Sequence, residues 1–344
     1  MTPRDLLHDL VSTPSVSGGE SAVAGVLVDF FEDSGREAAV DDAGNVRAPG
    51  DDAVLLTSHL DTVPGEIPVR VEDGALWGRG SVDATGPLAA MAAAAVETGA
   101  SFAGVVEEET TSAGARHLVD SRDAPEAVVN GEPTGWDALA VGYRGLVRAT
   151  YDVETESVHS SRPAPNAVQR AVAWTERVQA AFGSDGGAAD ESAGAVFESV
   201  TVNPVSVDGG PTPDGHGVGA TVDVEFRLPP GTTAGDVRAV VADCTEAGAV
   251  TWTEAIPPLA ADARSPVAGA LRAGIRGAGG EPTHLRKTGT CDANLYAAAW
   301  DCPVAVYGPG DSALDHAPDE RIALDAFDRG VEALTTAAAQ LCTS

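Results

Sequence analysis

Residues 53–61 read Ala-Val-Leu-Leu-Thr-Ser-His-Leu-Asp, an apolar run that passes directly into polar chemistry at His59 and Asp61. Four apolar residues followed by polar ones predict a short buried strand over Ala53–Leu56 that ends on His59. The pattern recurs. Phe102–Val106 precedes Glu107-Glu108-Glu109, Ala127–Val129 precedes Glu132, and Pro303–Tyr307 precedes a Gly-Pro-Gly turn. Between these runs, Leu88–Val96 and Ala115–Val119 have helical character, and Leu6–Leu10 and Ser21–Phe31 add two earlier helices. Strand and helix therefore alternate, which predicts an α/β domain with a mixed sheet whose polar residues gather at strand exits.

The middle of the chain reads differently. Leu146–Val153, Val200–Val207 and Gly219–Leu228 alternate with period two, as half-exposed antiparallel strands do, and Ala167–Phe182 reads as a helix. The expected division is therefore 1–144 with 256–344 as one domain, and 145–255 as an inserted α+β domain.

Charge narrows the function classes. Acidic residues number 52 against 21 basic ones, for a net charge of −31, and they are dispersed rather than collected in a tail. Nucleic-acid binding needs a basic stripe to neutralise phosphates, and none is present. Lysine is almost absent, with Lys287 the single copy. Such a surface suits concentrated salt, where the Debye length is about 3 Å at 1 M, so a halophilic source is expected. The cysteines Cys244, Cys291, Cys302 and Cys342 have no paired spacing, which fits a cytoplasmic protein. No apolar leader or membrane-length apolar stretch is present, so no membrane partner is expected.

Several short segments carry chemistry. In His59-Leu60-Asp61 the two polar residues share a face if the strand continues, and a carboxylate there can orient a ligating imidazole. Asp83 ends Gly78-Arg79-Gly80-Ser81-Val82-Asp83, a glycine-lined turn before an alanine-rich helix, where an aspartate also serves as an N-cap. Three adjacent glutamates at 107–109 repel one another unless solvent or cations accept them. Gly131-Glu132-Pro133-Thr134 and Leu314-Asp315-His316-Ala317-Pro318-Asp319-Glu320 each lie near an expected strand end. Singly these are ordinary loop or surface residues. Together they form an oxygen-rich N/O donor set without thiolates, suited to zinc or cobalt.

In their order along the chain, His59-Leu60-Asp61-Thr62-Val63-Pro64, Gly80-Ser81-Val82-Asp83, the glutamate triplet, Gly131-Glu132-Pro133-Thr134 and Asp315-His316 resemble the ArgE/DapE/carboxypeptidase G family of co-catalytic zinc hydrolases. The resemblance spans nearly the whole chain and implies a dinuclear zinc amidohydrolase, with cobalt as a substitute. It implies that His59 and Glu132 hold one zinc, Glu109 and His316 the other, and that Asp83 bridges them. Glu108 would be the general base and Asp61 the support of His59. The triplet also admits Glu107 as base with Glu108 as ligand; the distance to Ser112-Ala113-Gly114-Ala115 favours Glu108 and Glu109. The inserted domain would be a lid and dimerisation domain of a homodimer. By the same resemblance His159, in Val158-His159-Ser160-Ser161-Arg162-Pro163, would reach the oxyanion and Arg227 would hold a substrate carboxylate.

Within that family, Arg286-Lys287-Thr288-Gly289-Thr290-Cys291-Asp292-Ala293-Asn294 resembles the loop of the branch that releases lysine or ornithine from the amino-group carrier protein LysW, with Cys291 in place of a serine. Tyr143-Arg144-Gly145 agrees with that branch. The resemblance implies LysW as the substrate partner and Lys287 and Thr290 as binding residues. Deacylation of acetylornithine or succinyl-diaminopimelate is the alternative activity, and a silent metal-binding scaffold the alternative that is not an enzyme.

Overall fold

The structure is a computed structural model that describes residues 1–157, 164–183 and 193–343. His159 lies outside the described residues. The chain forms two compact units: 1–141 with 261–285 and 291–344, and 142–260 with 286–290.

The first unit is built on a mixed sheet. Its centre is four parallel strands in the spatial order Ala100–Val105, Asp51–His59, Val128–Gly131, Val304–Gly308. Val46–Ala48 joins one side and Gly135–Tyr143 the other, both antiparallel. The parallel strands end level: His59 lies opposite Val105, and Ser58 opposite Gly131. Their carboxyl ends therefore release His59, the 107–109 turn, Glu132 and the Gly308-Pro309-Gly310 turn along one edge, where open α/β sheets place their sites.

Helix Thr85–Thr98 is buried over Thr85–Ala95 on all sides, which explains its run of alanines: only small side chains fit a helix enclosed all round. Helices Pro3–Val11, Pro266–Gly277 and Leu324–Cys342 have apolar stripes that face the same core, with Leu6, Leu10, Leu271, Phe327 and Leu334 buried. Their starts follow local chemistry. Thr2 and Asp5 form a reciprocal capping box, and Ser265 caps a helix that begins with proline.

The second unit is a four-stranded antiparallel sheet in the order Thr201–Pro211, Gly217–Leu228, Gly145–Glu156, Ala249–Trp252. Along Gly217–Leu228, buried residues alternate with half-exposed ones, as a sheet covered on one face requires. Helices Ala167–Ala181 and Ala234–Cys244 supply the cover: Trp174, Val178, Val237 and Val241 pack with Tyr151, Val222 and Phe226. Tyr151 and Trp174 stack with ring centroids 4.3 Å apart. Thr201–Pro211 is an edge strand, and its Val205 and Val207 are exposed.

Candidate metal centre

His59 is buried at the end of its strand. Its Nδ1–H donates to the main-chain carbonyl of Asp61 at 2.9 Å, which fixes the tautomer and leaves Nε2 as the ligand nitrogen. Nε2 lies 3.2 Å from Asp83 Oδ1, and the other carboxylate oxygen of Asp83 lies 3.2 Å from His316 Nε2. His316 Nε2 is also 3.0 Å from Glu109 Oε1. Two groups result, His59-Asp83-Glu132 and Asp83-Glu109-His316, and within each the donor atoms lie within 4.8 Å of one another. Asp83 is common to both and presents one oxygen to each imidazole.

The turns that deliver these groups are tightly specified. Glu132 leaves its strand beside Gly131, where an added Cβ would meet Ser58 Cβ at 2.8 Å, so glycine is required. Asn130 Nδ2 donates to Glu132 Oε1 at 3.2 Å. The glutamate turn starts at Glu107 with φ +58°, and His316 itself has φ +57°; both are left-handed, a strain that ordinary side chains tolerate only where surroundings hold them. The peptide after Asp83 is cis, and Asp83 does not cap the following helix, whose N-cap is Ala84.

Asp61 serves mainly the glutamate turn. Its carboxylate accepts Glu108 N–H at 3.0 Å, Glu109 N–H at 3.1 Å and the Ser17 hydroxyl at 2.7 Å, while Oδ1 stands 3.4 Å from His59 Nδ1. Buried Glu20 accepts from Gly18 N–H at 2.9 Å and from Glu107 N–H at 3.3 Å. Three successive amides of the turn are therefore met by carboxylates. The Glu107 carboxylate turns aside to the Thr111 hydroxyl at 2.7 Å, so Glu109 and not Glu107 joins a donor group.

The electrostatics show an excess of acid. Burial, then the Glu132 charge, pushes Glu108 well above the usual carboxylate range. Burial and then Asp83 push Glu132 up in the same way, against the opposing pull of His59. Asp83 is held low despite burial because both imidazoles face it. Hydrogen bonding to Asp83, opposed by burial, raises His316 to about 9. Burial lifts Asp292, beside the Ser112 hydroxyl, to about 7. Carboxylates this crowded, with two imidazoles on a shared aspartate, are a donor set that fits divalent cations with N/O ligands.

In the second unit, Arg227 donates to the Thr290 hydroxyl at 3.2 Å. Arg144, buried, donates to Thr288 O at 2.9 Å, to Val196 O at 3.1 Å and to the Thr201 hydroxyl at 3.0 Å. Its amide donates to Lys287 O at 3.3 Å. These arginines hold the 287–290 loop. Reading the sequence did not assign roles to Ser17, Glu20, Asn130, Arg79 or Glu320. The last two lie in stretches already singled out, but nothing in a stretch announces a partner two hundred residues away.

Residues 55–340 match the model of Peptidase family M20/M25/M40. The chain is 39% identical to a [LysW]-lysine hydrolase of Deinococcus radiodurans, over 98% of this chain and 96% of the relative. It is 36% identical to a putative [LysW]-lysine/[LysW]-ornithine hydrolase of Thermococcus kodakarensis, over 96% and 89% of the two chains. Among solved structures it shares the fold of an M20 family metallo-carboxypeptidase from Sulfolobus solfataricus, with TM-score 0.77, 17% identity and full coverage of both chains. A tripeptidase from Staphylococcus aureus matches with TM-score 0.79 and 18% identity over 99% of this chain and 98% of that one.

Proposed function

The chain belongs to peptidase family M20/M25/M40, and from that premise we propose that it releases lysine or ornithine from the carrier protein LysW by hydrolysing the bond to the carrier's C-terminal glutamate. The observation that carries the hydrolytic part is Asp83, whose two oxygens face His59 and His316 at 3.2 Å each. The names of the full-length relatives and the 286–294 loop support the substrate.

His59, Asp83 and Glu132 would hold one zinc, and Asp83, Glu109 and His316 the other. Bound there, such ions polarise the scissile carbonyl and make water a better nucleophile near neutral pH. Glu108 takes a proton from the attacking water as the C–O bond forms and returns it to the amino nitrogen as the C–N bond breaks. Asp61 keeps Glu108 and Glu109 in register through their amides. Arg227, Lys287 and Thr290 are assigned to substrate binding and His159 to the oxyanion, with the Arg227–Thr290 hydrogen bond supporting the first group.

Zinc as the native metal, cobalt as its substitute, a halophilic source and a homodimer made through the second unit, with its exposed edge strand, complete the reading. Among the described residues no helix is long and apolar enough to cross a membrane. The test is mass spectrometry of zinc- or cobalt-loaded protein in molar salt, offered LysW carrying lysine or ornithine beside acetylornithine and succinyl-diaminopimelate. Release from the carrier is expected. Cleavage of the small acyl substrates alone would reassign the substrate.

A further inference from the structure

Glu320 is 1% exposed, yet it lies outside both donor groups. Four donors converge on its carboxylate. Oε1 accepts from Val82 N–H at 2.8 Å and Asp83 N–H at 3.1 Å; Oε2 accepts from Gly80 N–H at 3.1 Å and Arg79 Nη1 at 2.7 Å. Three of the four are main-chain amides of the turn that ends in Asp83. Gly80 can join them because it has φ +79° and no Cβ, which would meet Thr62 Cγ2 at 2.4 Å.

Arg79 extends the brace in the other direction. Its Nη1 also reaches Ala317 O at 3.3 Å, the residue after His316, and its Nε reaches Gly65 O at 3.3 Å. One carboxylate and one guanidinium thus tie the Asp83 turn to the His316 turn. We propose that Glu320, braced by Arg79, is the positioning residue that sets Asp83 between His59 and His316, and so governs affinity for the ion shared by Asp83, Glu109 and His316. This rests on the metal reading above.

The chemistry of the position calls for a carboxylate. An amide at 320 keeps one acceptor oxygen and turns an NH2 group toward either Val82 and Asp83 or Gly80 and Arg79, setting donor against donor. Either orientation frees one side of the turn and lets Asp83 leave its place between the imidazoles. Because His59 and Glu132 are held by their own strands, the ion on that side suffers less.

The test is zinc binding to the stripped chain, measured by competition with a chromophoric chelator, alongside thermal unfolding of the metal-free protein. The parent is expected to bind two ions. E320Q should weaken the second by roughly 10–100-fold, the scale of outer-shell losses, while the first changes less, and excess zinc should restore hydrolysis. R79K keeps the charge but not the planar fork whose Nη1 meets Glu320 and Ala317 while its Nε meets Gly65, and should show a smaller loss of the same kind; it carries the test if E320Q does not fold. Parent-like affinity in a folded variant, whatever its melting temperature, would overturn the proposal, because a brace that serves only stability moves melting and not affinity. A parent that binds no zinc would instead bring down the metal reading, and the proposal with it.

Discussion

Replacing Asp61 by asparagine separates two roles that the sequence merges. The carboxylate is 1% exposed and accepts hydrogen bonds from Glu108 N–H, Glu109 N–H and Ser17. Asparagine offers one acceptor oxygen, and its NH2 group must face an amide, leaving one buried donor unmet at about 1–3 kcal/mol; the surviving bonds also lose their charge assistance. The expected loss of stability is about 2–4 kcal/mol. It would be read as a lower urea midpoint at unchanged slope, followed by the fluorescence of Trp77, Trp136 and Trp300, which belong to the first unit. Zinc affinity should fall by roughly 10–100-fold as the glutamate turn shifts. His59 should keep its proton on Nδ1, because the main-chain carbonyl at 2.9 Å, which the substitution spares, accepts it. Nitrogen NMR of the ring checks this. A change of imidazole tautomer with an undisturbed midpoint would refute the argument and return Asp61 to the role of histidine support alone. S17A removes only one bond to the same carboxylate and should cost about 1 kcal/mol.

E108Q should lower the hydrolysis rate by about 10²–10⁴-fold with zinc binding retained, whereas E107Q should stay within a few-fold, since Glu107 faces Thr111; the opposite order in a steady-state assay would reverse the register of base and ligand. Asp292 is raised to about 7 by burial, so the folded state binds its proton more tightly than the unfolded chain does. That contribution is present below the unfolded carboxylate range and is lost as pH rises through about 7, at about 1.4 kcal/mol per pH unit. The metal-free chain should therefore show a steeper loss of melting temperature between pH 5 and 8 than D292N does, and identical slopes would remove Asp292 from the account. G131A must push Ser58 or Met91, whose Cγ an added Cβ would meet at 3.2 Å, and should cost about 1–3 kcal/mol in thermal unfolding; an unchanged melting curve would show that the strand end can yield.

What could be read from the sequence was local. The run into His59 and the three other strand exits are legible because burial on both faces demands continuous apolar residues and the sheet edge demands a polar change; the strands span Asp51–His59, Ala100–Val105, Val128–Gly131 and Val304–Gly308. The second unit was legible by its period of two. Long-range partnership was not. Ser17 meets Asp61 across 44 residues and Val82 meets Glu320 across 238, and no spacing rule links them. The division of labour in Asp61 was hidden for the same reason. His-x-Asp suggests a pair, but the carboxylate's shortest bond runs to Ser17 and its two amide bonds to Glu108 and Glu109.

The distribution of acid around the centre follows from these partnerships. Glu20, Asp61 and Glu320 are buried carboxylates outside the donor groups, and together they accept seven main-chain N–H groups, from residues 18, 80, 82, 83, 107, 108 and 109. Amide dipoles, not side-chain cations, thus neutralise the acids that hold the turns. Arg79 is the exception, and it is spent on Glu320. The acids that face inward, Asp83, Glu108, Glu109 and Glu132, have His59, His316 and the Asn130 amide beside them but no arginine or lysine among the contacts described above, and burial together with their mutual repulsion pushes Glu108 and Glu132 well above the usual carboxylate range. The same backbone donors that make the outer acids tolerable fix the inner ones too close together for comfort. That imbalance favours a divalent ion, because neutralising the inner acids there needs no movement of the turns.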